Sequence, residues 1–331
     1  VIPGDIGREL GLRASGTWRP APPGADEAPG TYATSLPFRL ARASGEEPGE
    51  VAAGLAGRLR RVAWIAAASV TGGGYLTVTV SPWALAALAV RIPGAGAACA
   101  ASDALCGTEI AAPSAADAAG WEQAQQHVAA AVTGRLAEAA GATVNVQSYS
   151  QRTPAPAQAV RAAVAFAGPD AVRYALARTT PARAGLIDAR RYVANDFSNP
   201  FFAVRYAHAD AASVLRWAAD LGVDRGPPDA FRPERLAHPT EHRLLDLMSW
   251  LPERTASAAR RRRPDVFVRY LEDLGRAWLD CRENCPALPF GGRSAPHDRA
   301  GAAARLWLAA AAQTALGTGL RLVGVAAPQR L

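Results

Sequence analysis

The stretch Ser198–Ser213, SNPFFAVRYAHADAAS, decides how the second half of this chain is read. Asn199 can cap a helix by accepting a backbone N–H, and Pro200 falls at the first helical position, where a missing N–H is tolerated. From there Val204, Ala207, Ala211, Val214, Ala218 and Leu221 recur with helical spacing and form one apolar stripe. Gly222 follows, a residue suited to the left-handed stop of a helix.

Downstream the same pattern repeats. Glu241–Leu251 reads as a helix broken by Pro252. Asp265–Asn284 reads as another, with Phe267, Tyr270, Leu274, Ala277, Trp278, Cys281 and Cys285 on one face, and Arg299–Gly317 as a fourth. Charges lie opposite these stripes, so residues 159–331 are expected to form an all-α helical bundle.

Upstream the periods change. Residues 13–30 are rich in Pro and Gly and read as loop. Tyr32–Ala43 and Glu50–Arg61 have helical spacing. Arg61–Val70 and Tyr75–Val80 read as strands joined by Thr71-Gly72-Gly73-Gly74. This predicts a small α+β module over 1–90. Residues 91–120 lose periodicity, Trp121–Ala140 is helical, Thr143–Gln147 is a short strand, and Gln151–Gln158 reads as linker. Residues 91–158 thus form a short, eroded α/β segment. The whole is an α+β chain: a small N-terminal α+β module, the eroded middle, and the bundle.

The 331 residues are half apolar and one-fifth charged, as in globular proteins, with a formal net charge of +7 and a pI near 9.7. All 36 basic residues are Arg. The excess suits a polyanionic partner. Without lysine there is no Schiff base and no P-loop ammonium. The first 20 residues contain no signal-like apolar core, and no apolar run approaches the ~18 residues of a membrane span. A cytoplasmic protein without membrane contact is expected. Four cysteines in such a length do not make a disulfide framework. Cys281 and Cys285 lack metal-ligand partners at zinc spacing and read as core thiols, so neither metal nor cofactor is expected. His127 and His208 read as packed or solvated helix residues. The run Arg260-Arg261-Arg262-Arg263 has two readings: a helix C-terminus complementing its dipole before Pro264, or a phosphate contact.

Ser198–Ser213 resembles the helix that opens the DALR-type anticodon-binding domain of arginyl-tRNA synthetases. GPDAVRYALAR (168–178), PDVFVRYLEDLGRAWLDCRENCP (264–286) and GLRLVGVAAPQRL (319–331) resemble further parts of that domain, in the same order. YATSLPFRLA (32–41) and VTGGGYLTVTVSP (70–82) resemble the family's N-terminal additional domain, which touches the D-loop side of tRNA. Tyr75 stands where the family offers an aromatic to tRNA, and Thr77 where it usually has Asn. The resemblance fails in the middle. The family places a class I catalytic domain there, with a His-x-Gly-His signature and a Lys-Met-Ser-Lys-type loop. Here about 65 residues separate Pro93 from Gln158, where a nucleotide-binding domain needs roughly 100–200. Ser150-Gln151-Arg152 falls where the lysine loop belongs.

The resemblance implies a tRNA-binding protein, its partner an arginine acceptor tRNA or a true synthetase, with no DNA and no catalytic residues. The candidate RNA contacts are Tyr75, Arg205, Tyr206, Arg260, Arg261, Arg262, Arg263 and Trp278. Trp278 lies on an apolar stripe, which also fits a core residue. Two alternatives stand beside this: an arginine–tRNA ligase, alone or with a partner subunit, and a protein-interaction scaffold that does not bind RNA.

Overall fold

The computed structural model describes residues 2–11, 18–20, 28–113, 120–147, 158–288 and 298–331. The chain opens with helix α1 (Ile2–Glu9), where Ile2 and Ile6 bury one turn apart. Strands β1 (Trp18–Pro20) and β2 (Thr31–Thr34) follow, then helices α2 (Leu36–Ser44) and α3 (Pro48–Leu59), then strands β3 (Ile65–Thr71) and β4 (Tyr75–Val80). The sheet is antiparallel in the order β1-β2-β4-β3, and α2 and α3 pack against it.

One expectation is corrected here. Thr31–Thr34 is strand, not the start of a helix, because pairing with β4 and complete burial outweigh the helical spacing around Tyr32. Ile2–Glu9, to which the sequence reading gave no element, is helical because Ile2 and Ile6 have a core to cover.

Helices α4 (Pro82–Ala86) and α5 (Leu88–Ala95) and a 3-10 turn (Gly96–Ala100) lead out of the module. By composition alone this stretch (mean hydropathy 1.4) is long and apolar enough to cross a membrane, contrary to expectation. It folds as two short helices and a turn, with α5 packed on the final helix of the bundle. Among its described residues the middle segment holds one β-α-β unit: strand β5 (Glu109–Pro113), helix α6 (Trp121–Ala139) and strand β6 (Thr143–Gln147), the strands paired in parallel. A parallel pair needs such a crossover.

The bundle comprises α7 (Gln158–Ala167), α8 (Pro169–Arg178), α9 (Pro200–Asp220), α10 (Pro239–Ser249), α11 (Leu251–Arg261), α12 (Pro264–Asn284) and α13 (Arg299–Val323). Helix α12 lies at its centre, packed on α8, α9, α10, α11 and α13. Pro252 does not simply end a helix. It sits in the first turn of α11, where proline is tolerated, and α10 and α11 follow one another directly. The expected stripe of α9 is buried except for Leu221, which is 60% exposed beyond the last turn. Helix α13 runs past Gly317 to Val323 because its glycines permit close approach: a Cβ on Gly319 would lie 2.2 Å from Leu271 Cδ2.

Module and bundle share a continuous apolar core running from Ile2 to Val325. At their seam the Gly30 N–H donates to Asp246 Oδ1 at 2.9 Å, and Tyr32 Oη donates to Ser249 Oγ at 2.8 Å while its ring packs 5.0 Å from Trp250. The middle unit is tied in as well. Arg135 of α6 donates to the Leu322 and Val323 carbonyls at 2.8 and 2.9 Å, satisfying acceptors at the C-terminus of α13.

Candidate nucleic-acid interface

The N-terminus of α9 is locked before it presents anything. Asn199 Oδ1 accepts the Phe201 N–H at 3.0 Å, and its Nδ2 donates to the Ala194 carbonyl at 2.8 Å. Phe201 is buried, 5.2 Å from Tyr174. Phe202 and Tyr206 then share one helix face four residues apart, with ring centroids 5.6 Å apart and 29° between planes. Phe197, 61% exposed, stands edge-on to Tyr206 at 5.3 Å. Arg205 lies beside them with its guanidinium over the Phe201 ring at 4.9 Å. Burial holds its pKa below the ordinary value, and its Nε lacks a partner among the described residues. Arg205 and Tyr206 are thus brought together with two aromatics that sequence reasoning missed. The signal was there: four aromatics within Phe197–Tyr206.

The arginine run ends α11. Arg260 and Arg261 occupy its last turn, Arg262 adopts the left-handed conformation that terminates it, and all four arginines are exposed. They are not equivalent. Arg263 makes a two-pronged contact with Asp265, Nε to Oδ1 at 2.7 Å and Nη2 to Oδ2 at 2.8 Å. That hydrogen bonding holds the Asp265 carboxyl below its usual range. Arg261 and Arg262 make no ion pair among the described residues. Helices α9 and α11 both pack on α12, so the aromatic trio and the arginine run belong to one bundle.

Tyr75 stands apart from both. It opens β4, five residues from Val80 at the seam end of the strand, so at ~3.3 Å per residue it is roughly 17 Å from that end. It is 45% exposed, and its ring meets Phe38 of α2 edge-on at 5.0 Å. Thr77 is buried, its Oγ1 2.9 Å from Thr71 Oγ1, so it offers nothing to a ligand.

Trp278 is packed inside the bundle and not presented at its surface. It is 3% exposed, and its Nε1 donates to Asp210 Oδ2 at 3.0 Å. Asp210 also pairs with Arg282 at 3.0 Å. Burial raises its carboxyl, while Arg282 and Trp278 pull it back down. The apolar stripe, rather than the aromatic chemistry, decided this position. Ser150, Gln151 and Arg152 lie outside the described residues.

His208 is a latch for the C-terminal segment. Its Nδ1 lies 2.8 Å from the Pro328 carbonyl and its Nε2 against Gly317 of α13, and burial lowers its pKa. Arg216 and Arg173 donate to the Gln329 and Gly324 carbonyls. Cys281 and Cys285 are buried with thiol pKa values raised by that burial. No cluster of metal-ligating side chains occurs among the described residues.

Two family matches bear on this geometry. Residues 204–331 match the DALR anticodon binding domain, and residues 23–80 match the arginyl tRNA synthetase N terminal domain. Over these two stretches the chain resembles arginyl-tRNA synthetases. Arginine–tRNA ligase of Clavibacter sepedonicus is 40% identical over 164 residues, covering 50% of this chain and 28% of that protein. The ligase of Paenarthrobacter aurescens (strain TC1) is 36% identical over 168 residues, covering 51% and 30%. The matched part is therefore less than a third of the curated relatives' length. Thermus thermophilus arginyl-tRNA synthetase superposes with a TM-score of 0.62 at 14% identity over 99% of this chain and 98% of that one, a likeness of fold. Of the aromatic trio, Tyr206 lies just inside the matched anticodon-binding domain and Phe197 and Phe202 just before it, while the arginine run lies within it.

Proposed function

We propose that this arginyl-tRNA synthetase-like chain binds a tRNA, with an arginine acceptor as the expected species, and does not charge it. The observation that carries this is the joining of the family's two tRNA-handling domains onto one core, with a single β-α-β unit between them. The divisions 1–90, 91–158 and 159–331 describe its parts. In this reading the exposed arginine run that ends α11 supplies positive charge to backbone phosphates. Phe197, Phe202 and Tyr206 offer faces on which unpaired bases stack, and Tyr75 offers a second aromatic contact from the N-terminal module. Arg205, held over Phe201, positions this platform. The middle unit serves the fold, with Arg135 clamping the end of α13.

A lysine-free chain cannot supply the lysine loop that stabilises ATP phosphates during adenylate formation, and no His-x-Gly-His occurs in the sequence. The protein should shift tRNA in a gel assay at about 50 mM salt, weaken steeply as salt rises, and support no arginine-dependent ATP–pyrophosphate exchange. Folded protein that leaves tRNA unshifted would install the scaffold reading. Exchange by protein freed of host synthetase would install the ligase.

A further inference from the structure

The arginine run divides into unequal parts, and its backbone says which part faces a ligand. Arg262 has φ of 51°, and among the described residues it is the only non-glycine with positive φ. A side chain in that region is penalised relative to glycine, which is the common choice at this helix-terminal position. This chain uses glycine at comparable places: Gly45 after α2, with φ of 77°, and Gly324 after α13, with φ of 85°. Helix-dipole complementation does not require an arginine there, because Arg260 and Arg261 already occupy the last turn. A strained residue kept where glycine would serve points to a function of its side chain.

We infer that Arg262, with Arg261 beside it, is the phosphate-contacting pair of the run, and that Arg263 is a structural arginine committed to Asp265. The assignment rests on the tRNA-binding reading above. Asp265, in the first turn of α12, is 4% exposed and takes both prongs of Arg263, which fixes the turn from α11 into α12. Arg260 lies in the field of the half-buried Glu253 carboxyl on its own helix, so its charge is less freely offered to a ligand whenever that carboxyl ionises. Arg261 and Arg262 carry exposed charge without an ion-pair partner among the described residues. Phosphate oxygens are the acceptors that an exposed guanidinium pair suits.

The test compares full-length wild type, Arg262→Gly and Arg263→Gln for binding to mixed tRNA across a salt series and for thermal midpoint. Arg262→Gly is expected to weaken binding about threefold to tenfold at low salt and to flatten the log–log salt slope by about 1. Its midpoint should hold or rise, because glycine relieves the strain. Arg263→Gln should lower the midpoint and change the slope less. Wild type that does not bind tRNA overturns the tRNA reading and this assignment with it. Wild type that binds, with Arg262→Gly unchanged in affinity and slope, overturns this assignment alone. So does a lowered midpoint for Arg262→Gly, which would make Arg262 a structural cap.

Discussion

Replacing Glu253 with Gln should stabilise the protein at alkaline pH and do nothing at acid pH. Glu253 sits in the first turn of α11, and burial pushes its carboxyl up to about 7 from an ordinary 4.5, with Arg260 and Arg254 pulling the other way. A carboxyl whose folded value exceeds its unfolded value keeps a proton that the unfolded chain has already released. Between about pH 4.5 and 7 the folded state therefore binds more protons, and stability falls as pH rises through that window. At about 1.4 kcal/mol for each of the roughly 2.5 pH units separating the two values, the cost above pH 7 is about 3.5 kcal/mol. The helix N-terminus favours the charge by a few tenths to 1 kcal/mol, so about 2–3 kcal/mol is the expected gain for Glu253→Gln at pH 8. Urea unfolding at pH 4.5 and pH 8 measures it, as a shift in midpoint at constant slope. A gain of equal size at both pH values would refute the reasoning, as would a loss at pH 8, since either would mean that the substitution acts through packing rather than charge.

Trp278→Ala should destabilise the protein by about 3–5 kcal/mol, the usual range for emptying a buried aromatic site, because the indole is core and its Nε1 bonds Asp210. A variant of full stability that has lost tRNA affinity would restore Trp278 as a contact. Tyr206→Ala should lower tRNA affinity by on the order of 1–3 kcal/mol if bases stack on the trio, read in the same shift assay; unchanged affinity would remove this platform from the interface. Of the four thiols only Cys106 is exposed, so one equivalent of a thiol reagent should react quickly in native protein and the remainder only on unfolding. About one equivalent of bound zinc that is lost on Cys281→Ser would contradict the reading of Cys281 and Cys285 as buried core thiols.

How much of this was legible in the linear chain depends on the range of the forces involved. Capping chemistry is local, so Asn199-Pro200 correctly marked the start of α9, and Thr143–Gln147 and Tyr75–Val80 were read at the bounds they have in the fold. The buried stripe of α12 was also written in its 3.6-residue period, down to Cys281. The same period misled at Tyr32, where a strand forms because β4 is there to pair with it, and pairing partners 46 residues away leave no mark on a local pattern.

The sequence by itself determined the class of the chain, its lack of lysine, the helical C-terminal half, and the resemblance from which a tRNA partner is proposed. Only the tertiary structure decided which polar and aromatic groups are free to use that chemistry. It buried Trp278 against Asp210, committed Arg263 to Asp265, and stood Phe197 beside Phe202 and Tyr206. It also joined both ends of the chain in one core, with Gly30 and Tyr32 bonded to Asp246 and Ser249. The physical reason is that exposure and partnership belong to three-dimensional neighbours. A residue's type states what it can bind, while packing determines whether that capacity is already satisfied inside the protein.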